Sequence, residues 1–411
     1  MKASIITVGD EILIGQIVDS NSAYIAEQLN SIGVRIVEMQ SVGDERKAIM
    51  DALEQASNRA DILCITGGLG PTNDDITKEA LAEYTHATGW RIDEPSLEII
   101  RQITGQRGLP MNKQNRDQAL VPANCKTLLN QIGTAPGMWF DYRCKIIISL
   151  PGVPFEMQAM MKDVVQRLQT SLHLPPIFHR TITTFGMPES LLAEKIADWE
   201  HALPSCIRLA YLPNPLTGVR LRLSVYNPDT TTEVLVAKAI SDLHAILGNV
   251  IYGEGDDTLV SIVGQLLRQR NASVAVAESC TGGRIASLLT SVAGSSDYFK
   301  GGVVAYDNAV KTDILQVYAS DILVHGAVSL PVAEQMAEGV RRLLKTDYAV
   351  ATSGVAGPCG GSAQKPVGTV CIAIATPQAI TSQRWQFTND RLRNIDRSAA
   401  TALNMLRLSI K

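Results

Sequence analysis

Over the first 170 residues, short apolar runs of strand length alternate with amphipathic stretches. Ser4–Val8 predicts a strand, Ser22–Leu29 a helix that Asn21 or Ser22 can cap, and Val34–Met39 a second strand. Lys47–Ala56 predicts a helix and Asp61–Thr66 a buried strand running into Gly67-Gly68-Leu69-Gly70-Pro71. Lys145–Leu150 predicts another strand, closed by Pro151-Gly152-Val153-Pro154. Strands alternating with helices at this spacing predict a parallel sheet covered on both faces, with ligands beyond the carboxyl ends of the strands. The pattern changes over 171–250, where prolines at 175, 176, 188, 204, 213, 215 and 228 interrupt or flank it. There Arg220–Val225 alternates as a half-exposed strand and Val234–Ile246 as an amphipathic helix, which predicts a small α+β domain. Gly253-Glu254-Gly255-Asp256-Asp257 predicts a hinge. Beyond it the α/β rhythm returns, with Ser273–Ala277, Gly302–Tyr306, Tyr348–Thr352 and Thr369–Ala375 as strands. Gly282–Thr290 and Pro331–Leu344 predict helices, and a further helix starts near Ala309 with Asn308 as its cap. Val332, Met336, Val340 and Leu344 share one face of the second of these.

A chain of 411 residues is too long for one ordinary domain, and two or three are expected. The hydrophobic share of 45% and charged share of 19% are those of a globular protein with full cores. A net charge of −4 offers no broad attraction for nucleic acid or acidic lipid. Lys2 leads straight into the first strand, which is not the pattern of a signal peptide, and no apolar run approaches the roughly 20 residues that span a bilayer. A cytoplasmic protein without a membrane partner is expected. The seven cysteines (64, 125, 144, 206, 280, 359 and 371) form no Cys-x-x-Cys, and the six histidines no His-x-x-x-His, which argues against zinc. Reduced and mostly buried thiols are expected.

Cys280 lies inside a motif, Glu278-Ser279-Cys280-Thr281-Gly282-Gly283, between a predicted strand and a predicted helix. Such a turn exposes a side chain at the sheet edge and aims the first helical N–H groups at a bound phosphate or oxyanion. A glycine-permitted tight turn with an ordinary N-cap reads the same way. The motif gains weight from its company: Gly301-Gly302-Val303-Val304-Ala305-Tyr306 with Asn308 and Lys311, then Ser353-Gly354-Val355-Ala356-Gly357-Pro358-Cys359-Gly360-Gly361, then Lys365-Pro366-Val367-Gly368-Thr369. Glycine-rich turns at several strand ends argue for a backbone-lined pocket.

Together these segments resemble the CinA C-terminal family, whose members are nicotinamide-nucleotide amidases, over essentially all of 256–411. The resemblance implies deamidation of nicotinamide mononucleotide without a cofactor, with Ser279 as nucleophile and Lys311 as its base. It implies Tyr306 as a proton relay or amide holder, and Arg391, in Phe387-Thr388-Asn389-Asp390-Arg391, on the substrate phosphate. Thr281, Gly282, Gly283, Gly354, Gly357 and Gly361 would line the substrate site. A serine hydroxyl is weak until a base takes its proton, and no histidine lies in these motifs. A lysine serves as that base only where burial lowers its pKa. The plain alternatives are a solvated helix face for Lys311 and a loop ion pair for Arg391. Cys280 competes as nucleophile, since a helix start lowers a thiol pKa, but with no histidine nearby in sequence it reads as packing. Cys359 stands where the family usually has aspartate, and Asn389 where it usually has glycine.

In the first domain Val8-Gly9-Asp10-Glu11-Ile12-Leu13 follows the first strand, and Asp19-Ser20-Asn21-Ser22 opens the next helix. Gly67-Gly68-Leu69-Gly70-Pro71-Thr72-Asn73-Asp74-Asp75 joins a glycine turn that can cradle phosphate to adjacent carboxylates that can hold a divalent cation. The same two aspartates can instead cap a helix over Ile76–Tyr84. Gly133-Thr134-Ala135-Pro136-Gly137 and Leu150-Pro151-Gly152-Val153-Pro154-Phe155-Glu156-Met157 come later. This part resembles the molybdopterin-binding fold as used in the CinA N-terminal domain, with Asp-Ser-Asn-Ser in place of the usual Asp-Thr-Asn-Ser. The resemblance implies metal-dependent cleavage of ADP-ribose to AMP and ribose 5-phosphate, with magnesium on Asp74 and Asp75. Gly9, Asp10, Asn21, Gly67, Gly68, Gly70 and Thr72 would bind the substrate. The fold also hosts simple pterin binding, so a regulatory nucleotide- or pterin-binding protein with inactive sites is the rival.

The family's middle segment has a KH-like topology, which is associated with RNA. Here residues 171–250 hold six Lys/Arg against seven Asp/Glu, and their three glycines form no Gly-x-x-Gly. A spacer or dimer element without nucleic acid is expected. The expected fold is α/β: a molybdopterin-binding-like three-layer parallel sheet over 1–170, a small KH-like α+β domain over 171–252, and an α/β amidase domain over 256–411. The expected protein is a homodimeric, bifunctional enzyme of pyridine-nucleotide salvage.

Overall fold

The computed structural model describes every residue except 73, 74, 107, 109, 173–176, 215, 216, 227 and 411. It divides into two compact units, Met1–Phe178 with Tyr226–Pro228, and His179–Val225 with Asp229–Lys411.

The first unit holds strands β1 (Lys2–Val8), β2 (Arg35–Val42), β3 (Ile62–Thr66), β4 (Trp90–Ile92), β5 (Leu120–Pro122), β6 (Lys126–Leu128), β7 (Gly137–Tyr142) and β8 (Lys145–Leu150). Its helices are α1 (Asp10–Leu13), α2 (Ser20–Ser31), α3 (Arg46–Arg59), α4 (Thr77–Tyr84), α5 (Glu94–Gln106), α6 (Lys113–Asp117) and α7 (Pro154–Ser171). The main sheet has the order β2-β1-β3-β8-β7-β6, and β4 pairs with β5 apart from it. Side chains alternate across the sheet as strand geometry requires. Ile5, Cys64 and Ile148 face Ile25, Leu29, Met157 and Met161 of α2 and α7. Ile6, Ile65 and Ile147 face Ile49, Leu53 and Leu81 of α3 and α4. The expected three layers are present, but the sheet is mixed. β2, β1, β3 and β8 run parallel, whereas β7 pairs antiparallel with β8 and β6 antiparallel with β7. The cause is the two-residue connection Arg143-Cys144, both at positive φ, which reverses the chain as only an antiparallel hairpin can.

The second unit begins with a four-stranded sheet of order β10-β11-β9-β12, built from β9 (Ile177–Thr184), β10 (Ile207–Asn214), β11 (Gly218–Tyr226) and β12 (Ile251–Glu254). Helices α8 (Glu189–His201) and α9 (Thr232–Leu247) accompany it and are joined by the Trp199 indole donating to the Ala239 carbonyl at 2.9 Å. The last domain contains β13 (Val274–Glu278), β14 (Phe299–Val304), β15 (Tyr348–Gly354), β16 (Thr369–Ala375) and β17 (Ile380–Gln386) in the order β14-β13-β15-β16-β17. Its helices are α10 (Leu259–Gln269), α11 (Arg284–Thr290), α12 (Asn308–Asp313), α13 (Ala319–His325), α14 (Leu330–Leu344) and α15 (Arg391–Ile410). β14, β13 and β15 are parallel, β16 pairs antiparallel with β15, and β17 pairs antiparallel with β16. Val274, Val276, Val350 and Ile372 pack toward α10 and α15. Ala275, Ala277, Ala349 and Ala351 lie under Val332, Met336 and Val340 of α14. The small alanines let α14 approach closely.

Three local expectations need correction. The helix expected from Ser22 starts at Ser20, so Asp19 caps it by accepting from the Ser22 N–H at 2.9 Å, and Asn21 lies inside the first turn. Asp307, not Asn308, caps α12, accepting from the Ala309 N–H at 2.8 Å. The segment expected as a hinge is bonded into the middle sheet. β12 pairs antiparallel with β9, the Gly255 N–H donates to the Thr181 carbonyl at 2.7 Å, and Asp257 accepts from the Glu254 N–H at 3.0 Å. Arg407 of α15, fully buried, reaches the Asn249 and Ile251 carbonyls at 2.7 and 3.4 Å and ties the last helix to β12. Among the described residues no helix is long and apolar enough to cross a membrane.

Candidate active sites

Ser279, Ala305-Tyr306 and the loop after Gly354 emerge side by side in the last domain. Glu278 pairs in register with Val304 on one side and Thr352 on the other, so the residues that follow leave the sheet at one edge. Parallel strands with carboxyl ends together make such edges natural sites. The Ser279 N–H donates to the Thr352 carbonyl at 2.9 Å. Ser279 as a whole is 9% exposed, and its hydroxyl has no bonded partner among the described residues.

Lys311 is 1% exposed, on a helix otherwise facing water. Its Nζ donates to the Ala305 carbonyl at 2.8 Å and the Tyr306 carbonyl at 3.2 Å. Burial lowers its pKa from the ordinary lysine value, and the nearby Asp307 opposes the shift only in part. A neutral amine has two N–H bonds and one lone pair. The two carbonyls use both N–H bonds and leave the lone pair as a proton acceptor. An ammonium there would leave a third N–H unmet, which burial penalises.

Tyr306 is 63% exposed, and its hydroxyl accepts from Arg391 at 3.1 Å. The same guanidinium donates to the Gly357 carbonyl at 2.6 Å. Arg391 thus joins the residues just beyond β14 to the loop after β15, and among the described residues it forms no ion pair, unlike the loop ion pair that remained open. Thr281 is buried, with its hydroxyl 2.6 Å from that of Thr352. Gly283, at φ +97°, supplies the left-handed N-cap of α11, which begins at Arg284 and not at Gly282. Gly354 packs against Cys280, where a side chain would stand 3.0 Å from the sulfur. Gly361 lies farther along the loop, against Val367. Cys280 is buried, and burial pushes its thiol up to about 12, so it is not a thiolate near neutral pH.

The helix N–H groups expected to face a phosphate are already taken. The Glu278 carboxylate accepts from Gly283, Ile285 and Ala286 at 3.0, 3.0 and 2.8 Å. Sequence reasoning also passed over Asn394. Its buried amide donates to the Ala356 and Thr388 carbonyls, both at 2.9 Å, while its oxygen accepts from the Thr388 N–H and hydroxyl, fixing the loop that carries Gly357. A polar residue one turn into an otherwise amphipathic helix is its only sequence signal.

In the first unit a cavity of about 520 Å³ opens at the carboxyl ends of β1, β3 and β8. Gly9, Asn21, Gly67, Gly68 and Gly70, the residues expected to bind substrate, are among those that line it. A side chain on Gly67, at φ +106°, would strike the Val8 carbonyl, so the turn requires glycine. Asp10 and Thr72 are not among the lining residues. Asp10 exchanges bonds with Asp44 at 2.9 and 3.3 Å, and the Thr72 N–H and hydroxyl both donate to Asp75. Asp75 therefore braces its own loop and does not cap α4, whose N-cap is Ile76. Asp74 lies outside the described residues. Asn21 Nδ2 donates to the Thr66 hydroxyl at 3.0 Å and the Gly152 carbonyl at 2.8 Å, while its Oδ1 and the Gln118 Nε2 are buried without partners among the described residues.

Among the described residues every charged lining side chain of the cavity is acidic: Glu11, Asp19, Asp44, Asp75 and Glu156. Hard oxygen donors of this kind suit magnesium. Among the described residues, however, no three His, Cys, Asp or Glu side chains stand together as a preformed metal cage. The donor set fits a cation held by one or two carboxylates and completed by phosphate oxygens.

Three family models match successive parts of the chain: a probable molybdopterin binding domain over residues 4–170, a damage-inducible protein CinA KH domain over 179–253, and a CinA C-terminal domain over 256–410. Over its whole length the chain is similar to a CinA-like protein of Flavobacterium psychrophilum, 45% identical across 99% of this chain and 98% of the relative. A CinA-like protein of Cytophaga hutchinsonii is also 45% identical, across 100% of this chain and 98% of its own. The crystal structure of competence/damage inducible protein CihA from Agrobacterium tumefaciens matches 37% of this chain and 93% of its own, with 37% identity and a TM-score of 0.36.

Proposed function

Because the chain belongs to the CinA family, we propose that its last domain hydrolyses nicotinamide mononucleotide to nicotinate mononucleotide and ammonia through Ser279 and Lys311. The observation that carries this reading is the buried Lys311, whose two N–H bonds end on the Ala305 and Tyr306 carbonyls at the strand end beside Ser279. The neutral amine takes the hydroxyl proton as Ser279 Oγ bonds to the amide carbon, and the carbonyl electron pair moves onto oxygen. The tetrahedral intermediate then collapses, the C–N bond breaks, and ammonia leaves with the proton returned by Lys311. Water, deprotonated by the same amine, then bonds to the acyl carbon, the bond to Ser279 Oγ breaks, and Lys311 returns the proton to the serine as nicotinate mononucleotide leaves. The Tyr306 hydroxyl accepts from Arg391, so its own proton is free to donate to substrate. The remaining N–H groups of Arg391 suit the phosphate.

We propose that the first domain hydrolyses ADP-ribose to AMP and ribose 5-phosphate with a divalent cation, most simply magnesium. Asp75, with Asp74 beside it in sequence, would hold the cation. When bound, it neutralises pyrophosphate charge and activates water. The Gly67 N–H donates to the Leu150 carbonyl at 3.1 Å, which leaves the N–H groups of Gly68, Leu69 and Gly70 in the cavity lining for phosphate oxygens. With only acidic side chains among the charged lining of the described residues, pyrophosphate without a cation would be repelled.

The direct test incubates the purified full chain with nicotinamide mononucleotide and measures ammonia against a Ser279→Ala control. Ammonia from the parent alone is expected. Equal release from both, or from neither, sinks the amidase reading.

A further inference from the structure

Glu278 ends β13, one residue before the proposed nucleophile, and is 0% exposed. Its Oε2 accepts from the Gly283 and Ile285 N–H groups, and its Oε1 from that of Ala286. The carboxylate therefore sits at the positive end of α11 and satisfies the amides that a bound anion would use. A substrate phosphate docking there would displace these bonds and meet a like charge. The other flank of the turn is also fixed. The Ser279 N–H holds the Thr352 carbonyl, the Gly282 N–H donates to the Ser279 carbonyl at 3.2 Å, and the Thr281 and Thr352 hydroxyls bond at 2.6 Å. Among the described residues, the N–H groups of this turn without an acceptor are those of Cys280 and Thr281. The amide just after a nucleophilic serine is a recurrent oxyanion donor.

We propose, resting on the serine-amidase reading above, that Glu278 is a positioning residue with two effects. It closes the α11 end to the substrate phosphate, and it holds the Cys280 and Thr281 N–H groups as donors to the oxyanion formed when Ser279 attacks. The phosphate then lies at Arg391, away from the turn that does the chemistry.

Glu278→Gln keeps the shape but replaces one acceptor with an amide that faces an N–H. In the full chain it should lower kcat about 100-fold with KM within about two-fold, as expected when donors shift by a fraction of an ångström. Calorimetric binding of nicotinamide mononucleotide to Ser279→Ala and to Ser279→Ala/Glu278→Gln should agree within about two-fold. A parent-like kcat overturns the proposal. So does tighter binding by the double variant, since that would mean the phosphate docks on α11. A fluorophosphonate probe, with adducts at Ser279 counted by mass spectrometry, reads the same oxyanion site without any amide substrate. Its labelling rate should fall with kcat in Glu278→Gln. A parent that labels but releases no ammonia sinks the choice of substrate, while the labelling ratio still decides the proposal. A parent that neither labels nor releases ammonia sinks both. Should Glu278→Gln not fold, Thr352→Val loosens the same turn from its other flank, and parent-like kcat and labelling there overturn the proposal.

Discussion

Burial lowers the pKa of Lys311, whose Nζ donates to two backbone carbonyls, and only the neutral amine can take the Ser279 proton. Deamidation should therefore be slow at low pH and rise through the Lys311 pKa, with a midpoint below the ordinary lysine value of 10.5. The folded pKa is lowered, so between it and the unfolded value the unfolded chain binds more protons. Lys311 thus favours the fold increasingly as pH rises through that window. Lys311→Met should cost about 10²–10⁴ in kcat and remove the pH-dependent rise. Lys311→Arg should fail as badly, because a guanidinium does not give up its proton near neutral pH. An active Lys311→Arg with an unchanged pH profile would show that another group is the base. Cys280→Ala should keep most of the activity at a cost of about 1 kcal/mol for a small cavity. Iodoacetamide followed by mass spectrometry should modify the exposed Cys144, Cys206 and Cys359 well before Cys280. Loss of turnover in a folded Cys280→Ala would return the thiol to consideration.

At the scale of elements, α12 has only six residues and depends on its cap. Asp307→Ala should cost about 1 kcal/mol, read as a lower Tm. Asp307 is also the charge that raises the Lys311 pKa against burial. Asp307→Asn keeps a capping oxygen but drops that charge, so its pH–rate midpoint should move to lower pH with Tm near the parent's. An unmoved midpoint would mean that Asp307 does not tune the base. Asn394, near the start of α15, supports the Gly357 loop through four bonds. Asn394→Leu should destabilise by about 2–4 kcal/mol and raise KM more than it lowers kcat. A pure kcat loss would place its influence on the nucleophile turn instead.

At the scale of the whole molecule the two proposed chemistries separate by their need for metal. A chelator should abolish ADP-ribose hydrolysis and spare deamidation, since the Ser279 site uses serine, lysine and backbone donors. Equal loss of both would refute the division. The proposed amidase residues all follow Gly255, so a fragment of 256–411 should retain kcat. It would also strip Arg407 of the Asn249 and Ile251 carbonyls. Such a fragment should be less stable than one of 179–411 by about 1–3 kcal/mol, measurable by urea unfolding. A folded fragment without turnover would show that the middle domain completes the site.

Much of this organisation is legible along the chain because it depends on neighbours in sequence. Short, nearly continuous apolar runs located strands such as Lys145–Leu150 and Thr369–Ala375 to the residue. The glycine turns after β3 and β15 marked the strand ends where a cavity and the Ser279 cluster lie. Strand direction was not legible, because antiparallel β7 and β16 carry the same apolar pattern as parallel β3 and β15, and pairing partners are chosen across the fold. Cap identity shifted by a residue or two at α2 and α12, since several polar residues compete and the backbone entry angle selects among them. The roles of long-range polar groups were likewise decided by tertiary structure. Arg391 meets Tyr306, 85 positions away, and Arg407 meets Asn249, 158 positions away. Even Glu278, one residue from Ser279, revealed its part only in three dimensions. A carboxylate at a strand end reads as a possible acid, base or cap until the fold turns three helical N–H groups onto it. Local chemistry is written in order along a chain, whereas a buried polar group takes its meaning from whichever partners burial leaves within reach.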